Sequence, residues 1–203
     1  MGLLKPFTQV RPDFARGTAQ IRAAAPPTQD TRWIIGGMMG SGKTSLAKRL
    51  AAAWNIPHVE IDRFASPEEV ILYTQALTAG WVTEANPWQI PDEVWRHADW
   101  TIFLDFDNVV NYWRLLHRGI ATWAASGQLW NGFRKHIIHD ALKDWSRLVY
   151  LYGEDNRAGW RKNGMDGGNI REQARRLRCI SPREAELLFS ILSPMTAPKV
   201  QIE

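Results

Sequence analysis

A single cysteine, Cys179, stands in 203 residues, and that scarcity excludes an internal disulfide framework. It suits a reducing, cytoplasmic compartment. With no motif around it, Cys179 reads as a buried strand residue rather than a nucleophile. No apolar run approaches the ~20 residues that a membrane helix needs, so no membrane partner is expected. The chain opens without a continuous apolar stretch, which argues against a secretory leader. His97, His117, His136 and His139 lack cysteines at zinc-ligand spacing, so a zinc site is not expected either. Internal repeats and low-complexity blocks are missing as well.

What remains is 45% apolar, enough for one full α/β core. The net charge of +4 is small but unevenly spread, with residues 33–105 at −4 and residues 106–180 at +6. A basic second half fits either a nucleic-acid footprint or a set of arginines gathered around a polyphosphate. Eleven tryptophans are the oddest feature of the composition. Each ring buries ~150–250 Å², and core or inter-helix packing accounts for most of them.

Residues 1–30 show neither sustained helical periodicity nor strand alternation, and they end in the breaker-rich "AAAPPTQD". They read as a flexible or loosely docked arm preceding a domain over residues 31–203. From residue 31 the pattern becomes α/β. "RWIIGG", "HVEID", "WVTEA", "WTIFLDF" and "RRLRCI" read as strands. "SPEEVILYTQALTAG" carries Ser66 as N-cap, Pro67 at the first helical position and Glu69 to close a capping box. "SPREAELLFSIL" repeats that start at Ser181, Pro182 and Glu184. Val109, Trp113, Leu116, Ile120 and Trp123 recur at spacings of four and three, which predicts a core-facing helical stripe. Two further helical stretches are expected over roughly 133–162.

Gly37-Met38-Met39-Gly40-Ser41-Gly42-Lys43-Thr44 fits G-x-x-x-x-G-K-[ST] without a mismatch, between an apolar strand and an amphipathic helix. Its glycines let successive N–H groups aim inward as an anion nest, and the helix beyond adds unpaired N–H groups and the positive end of its dipole. Residues 37–44, with Ser45 at the helix start, therefore form the expected ATP-phosphate cradle. The Lys43 ammonium is placed to reach the β- and γ-phosphates, and the Thr44 hydroxyl to ligate Mg²⁺. The lysine and threonine distinguish the loop from a dinucleotide fingerprint.

Ligands of an open parallel sheet gather at the carboxyl ends of its strands. Three strands here end in carboxylates, at Asp62, Glu84 and Asp105. Glu84 is the metal-side candidate, acting through water, and Asp62 the candidate for orienting or deprotonating an acceptor hydroxyl. A turn or capping role competes for Asp62. "DFDNV" also reads as a helix start capped by Asp107, which weakens Asp105. Arg114 and Arg118, four apart, share a helix face away from the tryptophan stripe. The glycine-punctuated stretch that follows, with Gly119, Gly127, Gly132 and Arg134, is expected to be a lid over about residues 119–135. Closing it would bring cations to the transferring phosphoryl group and exclude water. A solvated face is the competing reading for any single arginine. Arg157 and Arg161 repeat the spacing with less context.

Together these stretches resemble the adenylate-kinase-like P-loop kinases, and within them the small bacterial proteins known as DNA topology modulation proteins. The similarity runs over about residues 31–192 through "IIGGMMGSGKTSLAKRLA", "HVEIDRF", "GWVTEANPW", "RHADWTIFLDF", "YWRLLHRGI", "GQLWNGFRK" and "RRLRCISPREAE". It implies a three-layer P-loop NTPase fold of the nucleoside/nucleotide kinase type, with a parallel five-stranded sheet and a helical lid. It also implies use of ATP and Mg²⁺, with roles for Lys43, Thr44, Asp62, Glu84, Arg114, Arg118 and Arg134. The chain departs from the family where Ala85 replaces the glycine after the strand-three acid, narrowing backbone approach to an acceptor. The expectation is an ATP/Mg²⁺-dependent phosphotransferase acting on a small acceptor such as a nucleotide or nucleoside. The rival is a nucleotide-binding regulatory or nucleic-acid-associated ATPase, ranked second because no known nucleic-acid module is present.

Overall fold

The computed structural model describes residues 4–127, 158–160, 162 and 171–194. Five strands form one parallel sheet: β1 (Arg32–Gly37), β2 (His58–Glu60), β3 (Trp81–Glu84), β4 (Trp100–Leu104) and β5 (Arg175–Cys179), in the spatial order β2-β3-β1-β4-β5. The near-continuous apolar runs of β1 and β4 are what a parallel strand covered on both faces requires. Residues of β1 and β4 are almost all fully buried.

Alternation along each strand divides the core in two. Trp33, Ile35, Val82, Ile102, Leu104, Leu177 and Cys179 face one side, while Ile34, Trp81 and Phe103 face the other. The first face is covered by α2 (Phe14–Ala24), α3 (Lys43–Trp54) and α7 (Pro182–Leu192) through Phe14, Leu46, Leu50, Leu188 and Leu192. The second is covered by α4 (Pro67–Ala76) and α5 (Asp92–His97) through Val70, Val94 and Trp95, together with Trp160. The architecture is thus α/β, with helices on both faces of a parallel five-stranded sheet.

Both Ser-Pro-x-Glu starts form N-caps. Ser66 Oγ accepts from Glu69 N at 3.4 Å, and Ser181 Oγ accepts from Glu184 N at 3.2 Å. The returning carboxylates close one residue earlier than a capping box would, on Ala65 N at 2.9 Å and Ile180 N at 2.8 Å.

Two sequence expectations are overturned. The amino-terminal stretch is helical, with α1 (Lys5–Thr8) and α2 packed against α7. Phe14 and Thr18 are buried, and Arg11 bonds Glu184 at 2.9 Å and 3.0 Å. Ser181 Oγ also donates to the Gln9 carbonyl. Tertiary partners far along the chain supply the stability of this helix. The second correction concerns α6 (Asn108–Ser126): Val109, Trp113, Leu116, Ile120 and Trp123 are all exposed, and the helix instead buries Val110, Asn111, Leu115 and Gly119. Periodicity identifies residues sharing a face, but the opposite face turns inward, where Asn111 and Leu115 pack beside Gly40 of the loop. Cys179 is buried in β5, and burial pushes its thiol well above the ordinary range, as an inert core residue requires.

Candidate functional site

The loop between β1 and α3 begins where β1 is flanked by β3 and β4, at the carboxyl edge of the sheet. Its shape depends on backbone that only glycine adopts readily. Gly40 and Gly42 lie at φ +83° and +92°, and a Cβ on Gly40 would come within 2.5 Å of the Asn111 carbonyl. Gly37 enters the loop at φ +151°, with Ser41 Oγ and the Leu104 carbonyl beside it. Ser41 N closes the turn on Met38 O at 3.1 Å. Helix α3 then starts at Lys43 without a side-chain cap, so its first N–H groups are left for a ligand.

A cavity of about 540 Å³ opens over this loop, within the range of small-molecule sites. Met38, Met39, Gly40, Gly42, Lys43, Thr44 and Ser45 line it from the loop, together with Arg114 and Arg118 of α6 and Asp62 and Glu84 from the ends of β2 and β3. Gly37 and Ser41 stand behind that lining. Ser41 is buried, and its carbonyl accepts from Arg114 Nη1 at 3.2 Å. Helix α6, capped by Asp107 through Val109 N at 2.8 Å, therefore delivers an arginine onto the loop itself.

The side chains expected to act together do converge. Thr44 Oγ1 donates to Glu84 Oε1 at 2.9 Å, and Lys43 Nζ donates to Met38 O at 3.3 Å. Burial lowers the Lys43 ammonium below its ordinary range, while Glu84 and Asp62 pull it back up. Burial likewise raises Glu84, against the Thr44 hydroxyl and the Lys43 charge. Burial also lowers Arg114, whose guanidinium is half-buried over the loop. Asp62 belongs to the 3₁₀ turn Ile61–Arg63 that ends β2, and Oδ1 accepts from Gln89 Nε2 at 2.8 Å.

Gln89 is a site residue that sequence reasoning missed. It lies in a 3₁₀ turn, Pro87–Gln89, whose capping box joins Asn86 and Gln89. The Asn-Pro-x-Gln pattern was the signal that could have found it. Asp105, by contrast, does not line the cavity: Arg178 Nε holds it at 2.7 Å. Arg134, Arg157, Arg161, His136, His139 and residues 128–135 of the expected lid lie outside the described residues. The part of that lid that is described, from Gly119 on, continues α6 to a left-handed cap at Gly127.

The oxygen donors Thr44 and Glu84 suit a hard divalent cation. Among the described residues no group of three or more His, Cys, Asp or Glu side chains could hold a metal ion, so a cation here would lean on phosphate oxygens and water. A second cavity, about 440 Å³, lies at the opposite edge of the sheet, where Asp99 is engaged by Arg32 N at 2.9 Å and Arg171 at 3.6 Å. No described helix is long and apolar enough to cross a membrane. Compared with known proteins, the chain matches no family model and no curated protein.

Proposed function

We propose that this chain is an ATP/Mg²⁺-dependent phosphotransferase with a P-loop NTPase fold, transferring the γ-phosphoryl group of ATP to a small acceptor such as a nucleoside or nucleotide. The observation that carries the reading is the convergence over one cavity of a left-handed glycine loop, a half-buried lysine, an arginine on the loop carbonyl and two carboxylates. The resemblance to adenylate-kinase-like kinases agrees with it.

In this reading the loop amides and α3 bind the phosphate tail, and Lys43 supplies the charge at its β,γ end. Magnesium, when bound, would neutralise phosphate charge beside Thr44 and Glu84. Thr44 and Glu84, joined at 2.9 Å, are the residues that would hold it. Arg114 and Arg118 steady charge on the transferring group from above. Asp62, aligned by Gln89, accepts the proton of the attacking hydroxyl.

The nucleic-acid rival loses ground on two of the basic residues behind it. Arg178 and Arg171 are engaged by Asp105 and Asp99. Calorimetry with Mg·ATP, followed by γ-³²P transfer assays across small acceptors and DNA, tests the proposal. Saturable Mg·ATP binding that Lys43→Ala weakens at least tenfold without unfolding supports it. Folded protein that takes up no Mg·ATP refutes it, and ATP turnover driven by DNA alone favours the rival.

A further inference from the structure

We infer that the acceptor at this site carries a hydroxyl group and no phosphate of its own. The inference rests on the phosphotransfer reading above and narrows its substrate class.

The cavity has two unlike walls. Loop and α6 form one, bringing the Lys43 ammonium, Arg114 on the Ser41 carbonyl at 3.2 Å, and Arg118 one turn further along the helix. The ends of β2 and β3 form the other, with Asp62, Glu84, Ala85, Asn86 and Gln89. Among the described residues, that second wall offers carboxylates, amides and a methyl group, and no cation. Arg63, the basic residue next to Asp62, is 74% exposed and held by Glu60 at 2.9 Å. Glu60 stands beside Glu84 in the register of β2 and β3, its charge met by Arg63. Lys43 lies in the field of both Glu84 and Asp62 and offsets one of them.

Cations among the described residues therefore gather where ATP would place its phosphates, and with Glu84 bonded to Thr44 on the metal side, Asp62 is the carboxylate left where an acceptor would enter. A monophosphate on the acceptor would set a dianion against Asp62, which like-charge repulsion selects against. An alcohol meets a prepared partner instead. Gln89 is fixed at both ends of its amide: Oε1 accepts from Asn86 N at 3.0 Å, and Nε2 donates to Asp62 Oδ1 at 2.8 Å. That bond orients the carboxylate and leaves Oδ2 to take a proton. In the transfer step the acceptor oxygen bonds the γ-phosphorus and its proton passes to Asp62 Oδ2. The bond from the γ-phosphorus to the β,γ-bridging oxygen breaks, and ADP departs with the electron pair. Gln89 is a positioning residue in this scheme, and Asp62 is the discriminating charge.

The test uses protein saturated with Mg²⁺ and a non-hydrolysable ATP analogue, titrated calorimetrically with AMP and UMP. The wild-type complex is expected to bind neither measurably, and Asp62→Asn, which keeps an acceptor oxygen for Gln89, to bind at least one of them tenfold or more tighter. Monophosphate binding to the wild-type complex, or equal behaviour of the two proteins, would overturn the inference while leaving the phosphotransfer reading intact. Failure of the ATP analogue to bind at all would instead bring down that reading.

Discussion

Gly36 precedes the loop, and its missing side chain is occupied by another residue's ring. A Cβ at position 36 would lie 1.6 Å from Cζ2 of Trp160 and 1.9 Å from its Cε2. Carbon atoms rest at ~3.5–4.0 Å, so Gly36→Ala asks the indole to retreat by about 2 Å. Trp160 has nowhere to go: it is fully buried, stacked on Phe103 at 5.3 Å and set edge-on to Trp95 at 5.1 Å. Accommodating the methyl by strain costs ~1–3 kcal/mol, and expelling the ring forfeits the ~3–5 kcal/mol of a large-to-small core change. We expect about 3 kcal/mol for Gly36→Ala, where these ranges meet. Trp160→Ala alone should cost ~3–5 kcal/mol. In the Trp160→Ala background the ring atoms that the methyl strikes are gone, and Gly36→Ala should be neutral or stabilising by under about 1 kcal/mol. Urea unfolding of the four proteins in a double-mutant cycle measures the coupling. Equal costs for Gly36→Ala in both backgrounds would refute the close contact between β1 and Trp160.

Other outcomes follow from the same geometry. Lys43→Ala should weaken Mg·ATP binding at least tenfold, the loss of one charge-assisted bond, with the circular dichroism spectrum unchanged. Gly42→Ala forces φ +92° on an L-residue and brings its methyl 3.0 Å from Arg114 Nη2; a loss of ~1–2 kcal/mol in thermal melts is expected, alongside weaker nucleotide binding. Arg11→Met removes the guanidinium from Glu184, whose side chain is fully buried, and should cost about 1–3 kcal/mol by urea unfolding. Against the upward push of burial, the bonds from Arg11 and Ile180 hold Glu184 below its ordinary 4.5. The unfolded chain therefore binds that proton more readily, so this stabilisation is complete above the ordinary value and is lost as pH falls through the folded one. Arg11→Met should shift the onset of acid unfolding to higher pH, and an unchanged acid limb would count against the pairing.

The parts of the site legible in the sequence are those set by neighbours along the chain. The glycine loop needs consecutive residue types, and parallel strands necessarily bring Asp62 and Glu84 to the same edge as Lys43. Arg114 and Arg118 were readable as a pair because four residues return to one helix face. Rotation of that helix was not readable, since a stripe of period 3.5 states which residues are neighbours and not which way they look. Trp113 and Trp123 accordingly stand 60% and 58% exposed. The amino-terminal helices escaped notice for a different reason: their anchor, Glu184, lies 173 residues from Arg11. Gln89 was hidden likewise, its partner Asp62 being 27 residues away on another strand end.

Strand β1 occupies the middle of five strands, its backbone bonded on one side to β3 and on the other to β4, whereas β2 is a three-residue edge. Amide protons of Ile34 and Ile35 are expected to exchange through larger openings than those around Asp62, which sit at one margin of the sheet. A molecule gripping the glycine loop should consequently slow deuterium uptake throughout the sheet. One resting solely on the Asp62 side would leave a local footprint. The two halves of a single cavity thus report to cooperative units of different depth.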